Sequence, residues 1–285
     1  MSRVSYVNGI YLHHNHAKIH IEDRGNQFAD AVYEVVAIEG KVFIDFDHHL
    51  DRLFNNLNEL NITQSLTKKV LFLISKEVVR RNRVDRGLLY IQISRGKAMR
   101  NHAFPKNILP SIIINARSIK FPEDALKGVK VKLMDDLRWK RCDIKSVSLL
   151  PNVLAKEQAV RAGAYEAWLV DSEGYITEGS SSNAWILNED NILKTPPLSN
   201  KILGGITRKV LKEISLFNNI EVQDIAFSTE EAKKSKEAFI TSTSNFILPV
   251  TYLDNEPIGK GEPGPLFRKL YNLFCAHLEL QIKNK

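Results

Sequence analysis

Among the 285 residues, Lys145 is the lysine whose surroundings suit covalent chemistry. It lies in Arg141-Cys142-Asp143-Ile144-Lys145-Ser146, with a carboxylate two residues before it, a cation nearby and apolar residues running on to Pro151. Burial and neighbouring cations both disfavour the charged form of an amine. A neutral amine can attack a carbonyl and form a Schiff base. Taken alone, the hexapeptide reads more simply as a strand-to-helix loop with a solvated lysine head, and the rest of the chain must decide.

Three clusters of small residues follow: Gly179-Ser180-Ser181-Ser182-Asn183, Gly204-Gly205-Ile206-Thr207-Arg208 and Thr241-Ser242-Thr243-Ser244-Asn245. Each follows a strand or opens a helix. Glycine admits a close backbone approach, hydroxyls donate hydrogen bonds, and a helix N-terminus offers amides to an anion. Thr207 stands where a helix over 208–217 begins, so it can act as cap and phosphate donor together. No glycine–lysine nucleotide loop and no G-x-G-x-x-G is present, which argues against a nucleotide as the anion. Glu178, at a strand end before the first cluster, can hold a proton on a heteroaromatic nitrogen and make that ring an electron sink. Each cluster by itself is also ordinary turn and capping chemistry.

Arg100 and His102 alternate in Met99-Arg100-Asn101-His102-Ala103-Phe104-Pro105 and would point the same way in extended chain. Arg is the side chain for two-pronged carboxylate recognition. The His13-His14-Asn15-His16 and His48-His49 groups lack Glu or Cys partners at ligand spacing, so no metal is expected.

The elements that must position these residues divide into two lobes. In the first, 6–11 reads as a hairpin turning at Asn8-Gly9, 17–21 alternates like a strand, and 32–38 with 41–44 forms a central hairpin. Leu50, Leu53, Phe54, Leu57 and Leu60 recur at the helical interval from Asp47 to Asn61, with Arg52 off that stripe. A second helix spans 67–81, and strands return at 88–94 and 111–116. Residues 118–127 are polar with no period and read as the linker between a domain over 1–117 and one over 128–285. The second lobe has strands at 129–134, 165–170, 175–177, 183–187, 237–241 and 247–252. Its helices follow Pro151, span 206–217, and close the chain over 265–280 with Leu266, Leu270, Leu273, Phe274 and Leu278 facing in.

A composition of 44% hydrophobic and 26% charged residues is that of a soluble globular chain of two domains. The net charge of +7 is scattered, without a nucleic-acid-binding signature, and suits an anionic substrate or cofactor better. Cys142 and Cys275 match no disulfide or zinc spacing, the start carries no signal-type core, and no run is long enough for a bilayer. A cytoplasmic protein is expected.

Taken together, Asp143-Ile144-Lys145-Ser146, the run from Thr177 to Asn183, Ile202-Leu203-Gly204-Gly205-Ile206-Thr207-Arg208 and Thr241-Ser242-Thr243 resemble the class IV aminotransferases, the pyridoxal-phosphate enzymes of fold type IV. Val32-Tyr33-Glu34-Val35 with Arg100-x-His102-x-Phe104-Pro105 is similar to the D-amino-acid (D-alanine) aminotransferase branch. The resemblance implies an α+β fold with a smaller N-terminal α/β lobe, a larger β-rich C-terminal lobe and an active site between them. It implies pyridoxal 5′-phosphate held as a Schiff base on Lys145, which then shuttles a proton between substrate and cofactor. It further implies Glu178 on the ring nitrogen and Leu203 on the ring face. Arg52, the amides of Ile206 and Thr207, and the hydroxyl of Thr243 or Ser242 would bind the phosphate. Ser181 and Ser182 would line the site. Tyr33, Arg100 and His102 would hold the substrate carboxylate, the last two from a partner subunit, so a homodimer is implied. Relatives often carry glycine in place of Ala29 and Ala31, and the added methyls here bear on the placement of Tyr33.

The reaction so implied moves the amino group of a D-amino acid such as D-alanine to 2-oxoglutarate in ping-pong fashion. Rival readings are a branched-chain L-aminotransferase, an aminodeoxychorismate lyase of the same fold, and a basic binding protein without a cofactor.

Overall fold

The computed structural model describes residues 3–63, 66–120 and 123–283. The chain forms two compact units, one of Met1–Lys120, Ile144–Ser148 and Gln281–Lys285, the other of Phe121–Asp143 and Leu149–Leu280. Of the expected linker over 118–127, Phe121 and Pro122 lie outside the described residues, and Glu123–Lys127 form a short 3-10 helix.

The first unit is a six-stranded antiparallel sheet covered by helices. Strands β1 (Val4–Val7) and β2 (Ile10–His13) form the Asn8-Gly9 hairpin, with both turn residues at positive φ. Helix α1 (Arg24–Phe28) precedes β3 (Ala31–Glu39) and β4 (Val42–Phe43); α2 (Phe46–Glu59) and α3 (Lys68–Asn82) follow, then β5 (Gly87–Ser94) and β6 (Ser111–Ser118). The strand order is β2-β1-β6-β5-β3-β4. Alternation explains the core: Val32, Val36 and Ile38 share one face of β3 and pack with Leu50, Leu53 and Leu57 of α2 and Leu71, Ile74 and Val78 of α3. Glu34 lies on that same buried face, so its carboxylate must find partners.

The expected strand over 17–21 is not formed. That stretch is coil and turn with Lys18, His20 and Ile21 exposed, because alternation without a buried face or a pairing partner does not hold a strand. The five-residue α1 is too short to show a period in the sequence; Asp23 caps it by accepting from the Gly25 amide at 2.9 Å.

The second unit is built on a mixed nine-stranded sheet. Its elements are β7 (Val129–Asp135), α4 (Leu150–Arg161), β8 (Glu166–Val170), β9 (Ile176–Gly179), β10 (Asn183–Leu187), β11 (Leu193–Thr195), α5 (Ile206–Phe217), β12 (Val222–Asp224), α6 (Thr229–Lys233), β13 (Glu237–Ser242), β14 (Phe246–Leu253), β15 (Glu256–Pro257) and α7 (Pro265–Lys283). The order runs β12-β11-β10-β13-β14-β7-β8-β9, with β15 on β14. Trp168, Ile176, Ile186, Phe227, Ile240, Leu248 and Leu253 fill its core. Helix α4 carries Pro151 in its first turn, as expected. On α7 the buried stripe is Phe267, Leu270 and Phe274, while Leu266, Leu273 and Leu278 are only half-buried, so the facing side is rotated from the expected one. No helix among the described residues is long and apolar enough to cross a membrane.

Candidate active site

In the first unit, Lys145 is tied to β3 by backbone. The Tyr33 amide donates to the Lys145 carbonyl at 3.0 Å, the Val147 amide to the Ala31 carbonyl at 3.1 Å, and Ser146 bridges Val32. The Lys145 ammonium stands 4.4 Å from the centroid of the Tyr33 ring, which also stacks on Tyr90 at 5.8 Å. Burial, with Tyr33 alongside, pushes the Tyr90 phenol up to about 12.

On the opposite face of β3, Glu34 is fully buried and gathers two side chains from α2. Arg52 grips it with two prongs, Nε to Oε1 at 2.7 Å and a terminal nitrogen to Oε2 at 2.8 Å. His49 Nδ1 lies 2.7 Å from Oε2. Burial would raise the Glu34 pKa, but the Arg52 charge and the hydrogen bonds from Arg52 and His49 outweigh it and hold the carboxyl at about 2. Burial lowers the His49 pKa, and the charges of Arg52 and Lys145 act the same way against the pull of Glu34. The sequence reading found Arg52 but missed Glu34 and His49. The signal was available in part, since His49 and Arg52 are one helical turn apart on α2.

Arg100 and His102 occupy the irregular, exposed stretch after β5, both against Phe28: the Arg100 guanidinium is 4.5 Å and the His102 ring 5.2 Å from that ring's centroid.

In the second unit the three small-residue clusters come together. Asn183 opens β10 and pairs with Thr241 of β13, which sets Ser242 at the end of β13 and Thr243 in the turn that follows. Asn183 Nδ2 donates to Glu178 Oε2 at 3.1 Å and to the Leu203 carbonyl at 2.9 Å, and the Leu203 amide donates back to Glu178 at 3.1 Å. A Cβ on Gly205 would collide with the Asn183 amide oxygen, so only glycine permits this closure. Gly205, not Thr207, is the N-cap of α5; no side chain caps that first turn, which Ile206 and Thr207 begin. Arg208 serves the framework instead, bonding the Pro196 carbonyl at 2.8 Å and Asp224 at 2.7 Å.

Glu178 is also ion-paired with Arg138, which bonds Asp136 at 2.8 Å. Burial would raise the Asp136 pKa, but Arg138 and Thr177 bring it below the usual carboxylate range. Burial pulls the other way on Arg138, yet Asp136 and Glu178 keep it firmly protonated. Arg138 and Asp136 escape a sequence reading, because forty residues separate Arg138 from Glu178. The hydroxyls of Ser181 and Ser182 donate to buried Glu166 at 2.9 and 3.0 Å, and Ser180 joins them. Glu166 and Asn152, which bonds the Ser180 carbonyl at 2.9 Å, were also missed.

Each unit carries groups of the kinds pyridoxal phosphate requires: the first a lysine amine and an arginine, the second a carboxylate paired with an arginine, an uncapped helix start and hydroxyls at a strand end and turn. Among the described residues, no three His, Cys, Asp or Glu side chains gather as a metal ligand set. In the His48-His49 pair, His49 turns onto Glu34.

Residues 31–253 match the profile of the family described as amino-transferase class IV. The chain is 39% identical over 277 residues to a D-alanine aminotransferase of Staphylococcus aureus (strain N315), covering 96% of this chain and 97% of that protein. It is 38% identical over 264 residues to one of Bacillus licheniformis, covering 92% and 93%. Among solved structures, a branched-chain amino acid aminotransferase of Escherichia coli superposes with a TM-score of 0.90 at 22% identity, covering 97% of this chain and 94% of that one. A branched-chain amino acid aminotransferase of T.th., solved with pyridoxamine 5′-phosphate, superposes with a TM-score of 0.89 at 25% identity, covering 100% and 96%. With that span of the family profile and relatives similar over nearly the whole chain, the chain belongs to the class IV aminotransferases, pyridoxal-phosphate enzymes of fold type IV.

Proposed function

We propose that this aminotransferase moves the amino group of a D-amino acid, D-alanine foremost, to a 2-oxo acid such as 2-oxoglutarate, giving D-glutamate. The observation that carries this reading is near-full-length identity to D-alanine aminotransferases in a chain that also presents Arg100 and His102 side by side on Phe28. When bound, pyridoxal phosphate supplies the electron sink for the charge left as the substrate Cα loses its proton.

The chain's own residues do the rest. Lys145 would hold the cofactor and carry the proton to and from Cα. Glu178 would keep the proton at the ring nitrogen, and its ion pair with Arg138 favours the carboxylate form this needs. Leu203 would be among the residues that hold the ring. Arg52, fixed by Glu34, takes the phosphate with the Ile206 and Thr207 amides and the Thr243 or Ser242 hydroxyl. Ser181 and Ser182 line the cofactor site while their hydroxyls brace Glu166. Tyr33, Arg100 and His102 orient the substrate carboxylate. A homodimer completes each site, with Arg100 and His102 donated across subunits. The free thiols of Cys142 and Cys275 support a cytoplasmic setting.

The test is stereochemical. Protein loaded with pyridoxal phosphate is given D- or L-alanine with 2-oxoglutarate, and pyruvate is followed. Pyruvate from D-alanine alone is the expected result. Turnover of L-substrates only, or pyruvate released from aminodeoxychorismate without an acceptor, would overturn the D-specific reading.

A further inference from the structure

Arg100 and His102 lie on chain that has no secondary structure of its own to fix them. Residues 98–110 form no helix or strand, and Met99, Phe104 and Leu109 are largely exposed. Such a segment cannot keep two side chains in register by its own packing.

Two buried guanidinium groups supply the missing order. Arg24, 3% exposed, donates from Nε to Asp30 at 2.8 Å, and its terminal nitrogens donate to the carbonyls of Asn101 at 2.5 Å and His102 at 3.3 Å. Arg95, 5% exposed, donates to both oxygens of the same Asp30 at 2.7 and 3.0 Å. It also caps the end of α2 through the carbonyls of Leu60 at 2.6 Å and Asn61 at 2.9 Å, and stands 3.5 Å from the Phe104 ring centroid. Asp30 therefore joins the irregular segment to the framework. Phe28 adds a platform: Arg24 lies 4.6 Å and Arg100 4.5 Å from its ring centroid, with His102 at 5.2 Å.

A buried arginine must satisfy its donors, and Arg24 directs its two outer nitrogens to the consecutive carbonyls of Asn101 and His102, inside the Arg100–His102 stretch itself. A rigid fork on adjacent carbonyls fixes the local backbone direction, and so the direction of the side chains beside them. A lysine's single compact ammonium lacks the planar fork that reaches Asp30 and both carbonyls in fixed directions at once.

We propose that Arg24, anchored on Asp30 and stacked on Phe28, is the positioning residue of the carboxylate receptor, setting substrate affinity through Arg100 and His102 without touching substrate. This rests on the reading that Arg100 and His102 bind the substrate carboxylate. It assigns the otherwise unused buried cluster Arg24–Asp30–Arg95 to substrate selection rather than to stability alone.

The test is a double-mutant cycle on the cofactor-loaded enzyme, R24Q, R100A and R24Q/R100A, reading KM and kcat for D-alanine with saturating 2-oxoglutarate, cofactor absorbance and melting temperature. The R24Q variant should raise KM about 10-fold, the size of a charged hydrogen-bond loss, with kcat within about twofold and absorbance unchanged. In the R100A background the same change should add only about twofold, because His102 alone then remains for it to act through. The R24K variant should rescue little of the KM. If R24Q folds poorly, F28L carries the same cycle, since it removes the platform and leaves the Arg24–Asp30 bond. Equal KM increases with and without Arg100, or a joint fall of kcat, absorbance and melting temperature, would overturn the proposal and leave Arg24 structural. An R100A variant with unchanged KM would instead sink the carboxylate-receptor reading, and this proposal with it.

Discussion

The Lys145 ammonium stands 4.4 Å from the centre of the Tyr33 ring while the Lys145 carbonyl accepts the Tyr33 amide at 3.0 Å. Backbone and side chain of the two residues are thus fixed together, and the lysine, though far away in sequence, behaves as an extension of β3. The aromatic face lies against the amine without clamping its nitrogen in a single hydrogen-bonding direction. Lys145→Ala should abolish amino transfer, a loss of at least about 10³-fold in kcat, with the melting temperature little changed. Borohydride treatment of the loaded wild-type protein should leave a pyridoxyl mass on the peptide containing Lys145, and on no peptide of the variant.

The Glu34–Arg52–His49 cluster makes stability fall in acid, in two windows. Glu34 titrates at about 2 in the fold against 4.5 when free, so it contributes stability above 4.5 that is lost as the pH falls towards 2. His49, held below its usual 6.5, resists protonation in the fold while the unfolded chain takes the proton, so stability begins to fall below pH 6.5. Melting temperatures across pH 7 to 3 should show both limbs, and H49Q should remove the upper one. E34Q should remove the lower limb and cost about 3 kcal/mol at neutral pH, because the half-buried Arg52 loses the anion it grips with two prongs. The same variant should bind pyridoxal phosphate more weakly, measured on the apoprotein by titration.

Glu178 and Asp136 share Arg138, and that sharing sets a pH prediction for catalysis. Two carboxylates this close would repel and take up protons without the guanidinium between them. R138Q should therefore move the acid limb of the kcat profile to higher pH, since protonated Glu178 cannot hold the ring proton. E178Q should lower kcat on the order of 10²-fold and abolish that limb, because the carboxylate that titrates is gone. A profile that keeps its wild-type acid limb in R138Q would show that Arg138 does not govern this carboxylate.

What was legible in the sequence follows from the range of each interaction. The Asn-Gly hairpin and α5 declare themselves through turn chemistry and helical period, which are local. The three small-residue clusters were each readable, but their convergence depended on β10 pairing with β13, which is distant in sequence. Glu34 was hidden differently: its position in β3 marks a core face, and only the folded arrangement of α2 shows that Arg52 and His49 make a charge tolerable there. Strands β11 and β12, three residues each, fall below any periodic signal and exist because the sheet edge accepts them.

Ala29 and Ala31, the two positions at which the resemblance leads to an expectation of glycine, differ in backbone geometry. Ala29 closes α1 in the left-handed region, at φ +55°, where an L side chain is strained. Ala31 has ordinary strand geometry in β3, is fully buried, and places its methyl against Gly25. Ala29→Gly should relieve the Cβ clash and, after the added freedom of the unfolded chain, stabilise by about 0.5–1 kcal/mol. Ala31→Gly should do the reverse, losing about 1 kcal/mol through a buried methyl and a looser strand. Thermal melting at one pH with cofactor bound measures both, and the opposite signs are the diagnostic. Equal effects would mean that backbone strain at Ala29 is not what distinguishes the two sites. Since Ala29 separates Phe28 from Asp30, the glycine variant should also keep its KM for D-alanine only if those two neighbours, rather than the strained residue, hold the Arg100 segment in place.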